Sequence, residues 1–107
     1  MNQKDRYTFF SVFSYEDGYE IAVTFPDLPG CVSSGADEKD ALKMAREALG
    51  LHLWGMEKDG EVIPEITPLN HLTLHTNECA VPVEVCMSAF RLAQKTRSVN
   101  RTVTLPA

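Results

Sequence analysis

The chain has 107 residues, of which 44% are hydrophobic and 23% charged; that suits one folded domain with a single modest core and excludes wholesale disorder. No apolar run approaches the roughly 18 residues of a membrane span, and Met1 to Asp5 is not followed by a signal-peptide apolar block, so a cytoplasmic protein is expected. The net charge of −5 is uneven: residues 1–90 hold 15 acidic and 6 basic side chains, whereas 91–107 hold Arg91, Lys95, Arg97 and Arg101 and no acid. The body therefore suits a basic partner and the tail suits phosphate.

Tyr7 to Phe13 is aromatic and β-branched on both sides, which predicts a central strand covered on two faces. After the turn Glu16-Asp17-Gly18, residues Tyr19, Ile21, Val23 and Phe25 alternate with Glu20, Ala22 and Thr24, the period of a strand with one buried face. These two strands are expected to form a hairpin. Phe25-Pro26-Asp27-Leu28-Pro29-Gly30-Cys31 then reads as a stiff connection, because two prolines fix φ and remove donors while Gly30 frees the backbone. Cys31 to Ser34 is a short third strand that Gly35 ends, and its brevity fits a sheet edge.

Asp37 can cap the following helix, with Glu38 and Asp40 in the first turn where the helix dipole favours acids. Ala41, Leu42, Ala45, Leu49, Leu53 and Met56 recur at three- and four-residue steps with Trp54 on their flank, predicting one face on the sheet and an end near Lys58, before Asp59-Gly60. Gly50 interrupts the pattern at a cost of about 1 kcal/mol relative to alanine, and close packing is the one reason the sequence suggests. Residues 61–78 read as an irregular connection through Pro64 and Pro68. Val81, Val83 and Val85, with Cys86 and Met87, predict a fourth strand despite Pro82. By the crossover rule it should lie parallel to the first. The expected fold is α+β, a β-β-β-α-β sheet with one long helix packed on one face. Phe90 to Ser98 reads as a basic linker or short helix, and Val99 to Pro106 as a final strand.

The ordered set of an acidic hairpin loop, Asp27-Leu28-Pro29-Gly30-Cys31, the helix with Ala41-Leu42 and Ala45-Arg46-Glu47, and Pro64-Glu65 resembles the HicB-like antitoxins of bacterial toxin–antitoxin pairs. The likeness runs from about Tyr7 to Glu65 and implies a partial ribonuclease H-like sheet. It also implies a protein that is not an enzyme and that binds and neutralises a small basic HicA-like toxin cleaving messenger RNA. On this reading residues 1–90 form the toxin-binding domain, with Asp27, Leu28, Pro29 and Gly30 as the expected toxin contacts. Residues 91–107 are similar to the start of a ribbon-helix-helix DNA-binding segment. Arg97, Asn100, Thr102 and Thr104 are then the expected operator contacts, with Val103 and Leu105 turned to a dimer core. Arg101 falls on the inward face, and the sequence ends at Ala107 before the two helices that would bury such a ribbon. A homodimer or tetramer is expected.

Other chemistry fits less well. A metal-dependent nuclease of the ribonuclease H kind needs carboxylates from the first strand, the helix and the fourth strand around paired cations. The first strand offers none, and Glu47 and Glu84 read as solvated surface. His71, His75 and Cys79, with Cys86, have a spacing that zinc could use on a helix, but their segment is not helical in pattern. A thiol paired with His52 or His75 lacks any local nucleophile context. The three cysteines, odd in number and without a CxxC pair, read as reduced, buried small hydrophobes. No cofactor or metal is expected. The competing reading is a transcriptional regulator acting through the tail.

Overall fold

The structure is a computed structural model and describes residues 5–94. Its elements in chain order are β1 (Arg6–Ser14), β2 (Ile21–Thr24), β3 (Val32–Gly35), α1 (Glu38–Asp59), a single 3-10 turn (Leu69–His71) and β4 (Glu78–Cys86). A second helix, α2, occupies residues 87–94. The sheet order is β3-β2-β1-β4, so the apolar first strand is central, as its two-sided pattern predicts, and the short third strand is an edge.

Alternation divides the sheet cleanly. Phe9 and Phe13 of β1, Ile21 and Val23 of β2, and Val83 and Val85 of β4 share a buried cluster with Ala41, Ala45, Leu49 and Leu53 of α1. Ser11, in the same row, is fully enclosed, and its hydroxyl donates to the Val81 carbonyl at 2.8 Å. Small alanines in the first turns of α1 bring its backbone close to β3. A Cβ on Gly35 would lie 2.3 Å from the Ala41 nitrogen. The helix starts where Asp37 accepts the Asp40 N–H and ends at Asp59, one residue beyond the predicted Lys58 end, with Gly60 capping it at φ 72°. Gly50 also has a packing role: a Cβ there would sit 2.7 Å from the Phe90 ring, which α2 lays over this point of α1.

The fourth strand corrects the predicted orientation. It pairs with β1 antiparallel, from Ser14 opposite Glu78 to Arg6 opposite Cys86. The crossover rule assumes that a strand follows its helix directly, whereas here residues 60–77 intervene. They are fastened near the Tyr7 end of the sheet, where Asp27 holds Thr67, and again at the other end, where the Tyr15 N–H donates to Asn77 O at 2.9 Å and Asn77 Nδ2 donates back to Tyr15 O at 2.9 Å. The 22 residues of α1 rise about 33 Å. An extended connection of this length covers that distance in reverse, so β4 enters beside the finish of β1 and runs against it. The strand also ends earlier than expected: Met87 is the first residue of α2, and its N–H donates to Asp5 O.

Candidate functional site

The turn between β2 and β3 is built from overlapping hydrogen-bonded reversals. Leu28 N–H donates to Phe25 O at 2.9 Å, Cys31 N–H to Leu28 O at 3.0 Å, and Phe25 N–H to Cys31 O at 3.3 Å. Gly30 carries φ +91°, a value that favours glycine at this reversal. The four expected contact residues take different environments. Leu28 is 1% exposed and plugs the core beside Phe25 and Cys31. Asp27 is half-buried, and its carboxylate accepts both the Thr67 N–H at 2.8 Å and the Thr67 hydroxyl at 2.5 Å. Pro29 and Gly30 are exposed, as is Pro26. The surface of the turn is thus a rigid pair of prolines and a glycine, braced by Leu28 from below and Asp27 from the side. Thr67 was not legible as a partner, since it lies 40 residues away in an irregular segment.

At the other end of the sheet the β1–β2 loop and the start of α1 gather Glu16, Asp17, Asp37 and Glu38 around a shallow hollow of about 320 Å³, with Tyr15 and Tyr19 on its rim. Tyr19 is 76% exposed. The Tyr15 hydroxyl donates to Glu38 Oε2 at 3.1 Å, and shielding from water together with that carboxylate pushes its pKa up to about 12. Glu20 accepts from the Ser34 hydroxyl at 3.2 Å close by. The acidic hairpin loop singled out in the sequence is therefore continuous with the acidic first turn of α1.

The remaining candidates are dispersed. Glu84 lies on the outward face of β4, its carboxylate 3.8 Å from Arg6 and its backbone carbonyl taken by Arg46 Nε at 3.1 Å; Glu47 is exposed on α1. His71 closes the 3-10 turn, His75 precedes β4, and Cys79 is an exposed residue within it. Among the described residues no three histidine, cysteine or carboxylate side chains are gathered to hold a metal ion. The cysteines correct the expectation of uniform burial: Cys31 alone is enclosed, and burial pushes its thiol up to about 11. Cys86 is half-buried because it ends the edge strand at the start of α2. The Ala89 N–H lowers its pKa, and its thiol lies 3.6 Å from Ser88 Oγ and 3.8 Å from Asp5 Oδ2. The expected operator contacts Arg97, Asn100, Thr102 and Thr104, and the predicted strand at 99–106, lie outside the described residues. Among the described residues no helix is long and apolar enough to cross a membrane.

Residues 11–107 match the family model described as HicB-like antitoxin of bacterial toxin-antitoxin system. The chain belongs to the HicB-like antitoxin family. Among curated relatives, an uncharacterised 14.9 kDa protein from the rep-hol intergenic region of Haemophilus phage HP1 is 32% identical over 92 residues, 85% of this HicB-like chain and 66% of the phage protein. The chain thus spans just under two thirds of that relative's length. The antitoxin HicB of Burkholderia pseudomallei shares the fold at TM-score 0.64 and 27% identity, covering 72% of this chain and 61% of that one. A chain of a toxin–antitoxin complex from Streptococcus pneumoniae superposes at TM-score 0.72 and 24% identity over 79% of this chain and 72% of its own, a likeness of fold.

Proposed function

We propose that this HicB-like antitoxin binds a small basic HicA-like toxin that cleaves messenger RNA, and silences it in the cytoplasm by covering its active surface, with no reactive centre of its own. The observation that carries the reading is the charge of the body in a chain of this family. Residues 5–94 hold 15 acidic against 6 basic side chains, and Glu16, Asp17, Asp37 and Glu38 gather at one end of the sheet. A basic partner is drawn to such a surface at an enhanced rate, while apolar contacts slow its departure.

The rigid turn at Asp27 to Gly30 is proposed as part of the toxin-facing edge. Pro29 and Gly30 offer a pre-ordered surface that loses little entropy on binding, and Leu28 and Asp27 hold it in place. The test is co-expression with the HicA-like product of the neighbouring reading frame. Growth rescue and co-purification are expected, and their joint failure sinks the reading. Pro29→Arg, which sets a like charge against a basic toxin, should weaken toxin capture with thermal stability little changed, whereas Leu28→Ala should lower stability by about 2–5 kcal/mol as a core truncation.

A further inference from the structure

Where α2 crosses α1 beside the end of β4, the fold leaves an open hollow of about 450 Å³, a size that suits a small molecule. Val85 of β4 and Ala89, Phe90 and Ala93 of α2 supply its apolar lining. The hollow exists because α2 presents two small residues, Ala89 and Ala93, where α1 presents long side chains whose charged ends reach solvent: Lys43, Arg46 and Glu47. Phe90 is engaged farther along, over Gly50, so no large apolar group of either helix fills the gap.

Two polar groups at the hollow are left without partners. Arg46 Nε donates to Glu84 O at 3.1 Å, which ties the guanidinium to the edge of β4, while its two Nη groups have no partner among the described residues. Gln94 also lines the hollow and is only 9% exposed, yet its side-chain amide has no hydrogen-bond partner among the described residues. An enclosed amide of this kind gains from any ligand that brings an acceptor. Charge narrows the choice. Lys43 and Arg46 outweigh Glu47 by one positive charge in a body that is otherwise acidic, and Glu57 of α1 and Glu84 of β4 already have their own cations, Arg91 and Arg6. A basic toxin is a poor occupant of this place, and so is the stretch after Gln94 with Lys95, Arg97 and Arg101. A carboxylate on a small apolar body fits: its two oxygens match the guanidinium fork and the amide N–H, and its body covers the apolar lining.

We infer that the hollow between α1, α2 and β4 binds a small carboxylate with an apolar body, held by Arg46, Lys43 and Gln94. The inference is independent of the toxin reading. Calorimetric titration of the full chain with octanoate tests it, with amide chemical shifts to locate the ligand. One octanoate per chain is expected, with a Kd below about 1 mM and shifts concentrated at residues 43–47, 85–86 and 89–94. Octanol, the same apolar chain without the charge, should bind about tenfold more weakly. Arg46→Gln should raise the octanoate Kd by about tenfold or more, whereas Glu47→Gln, which removes the opposing acid, should lower it roughly threefold. Ala93→Phe fills the hollow and should abolish binding with the melting temperature little changed; if that variant does not fold, Ala89→Met, also at an exposed position, carries the same expectation. Absence of saturable binding, equal affinity for octanol and octanoate, shifts centred on Met44 and Leu51 instead, or undiminished binding in the folded cavity-filling variant overturns the inference. So does displacement of the toxin by octanoate, which would assign the hollow to the toxin.

Discussion

Asp27 holds two segments together with one carboxylate: it sits in the β2–β3 turn and accepts both polar hydrogens of Thr67. Asp27→Ala leaves the half-buried Thr67 N–H and hydroxyl without that acceptor. A loss of about 1–3 kcal/mol is expected in urea unfolding, with faster amide exchange over residues 61–69 than over β1. The sequence showed the turn but not this role. A stiff Pro-Gly connection is a local property of φ angles and missing donors, so it could be read directly from Phe25 to Cys31. The bond to Thr67 depends on where an irregular segment passes, which no local pattern encodes. Gly50 is a similar case: the interruption of the helical pattern was visible, while the Phe90 ring that requires it comes from an element 40 residues later.

Helix α2 is held on α1 by a two-pronged ion pair. Arg91 Nε donates to Glu57 Oε1 at 2.9 Å and Nη2 to Oε2 at 2.6 Å, and the Glu57 side chain is only 7% exposed. Arg91→Ala strands that carboxylate in a poorly hydrated site. A cost of about 3 kcal/mol is expected, seen as early loss of protection at residues 87–94 while β1 stays protected. At its two ends β4 is secured by other carboxylates. Glu78 accepts the His75 N–H and the Ser14 hydroxyl, and Asp5 accepts from Ser88; each is thereby held below its ordinary pKa. A carboxylate with a depressed folded-state pKa contributes stability above its unfolded value and loses it as pH falls through the folded one. Amides of His75 and Ser88, which donate to these two carboxylates, should therefore lose exchange protection, after correction for intrinsic rates, as pH falls below about 5, ahead of those in the middle of β4. Element identity was readable because periods of 2 and 3.6 are local. The direction of β4 was not, because it depends on the path of residues 60–77.

Across the whole molecule the charge is arranged by position along the chain: all 15 acidic residues precede Phe90, and the residues after it carry four basic side chains and no acid. Capture of a basic toxin by this body should slow as salt is added. Raising ionic strength from 0.05 M to 0.5 M shortens the screening length from roughly 14 Å to about 4 Å. A fall of about tenfold or more in association rate is expected by stopped flow, with a much smaller change in dissociation rate. A rate indifferent to salt would show that the acidic surface does not guide the encounter.

The pairing of β1 with β4 joins residues 64 to 80 positions apart, from Ser14 opposite Glu78 to Arg6 opposite Cys86. During synthesis the first strand emerges early and must wait for almost the whole body before its second neighbour exists. Until Cys86 has left the ribosome, Phe9 and Phe10 lie on an open sheet margin, and contacts of such long separation form slowly. A chain that stops short of Glu78 lacks the strand that pairs along β1, so Phe9 and Phe10 stay on an open sheet margin.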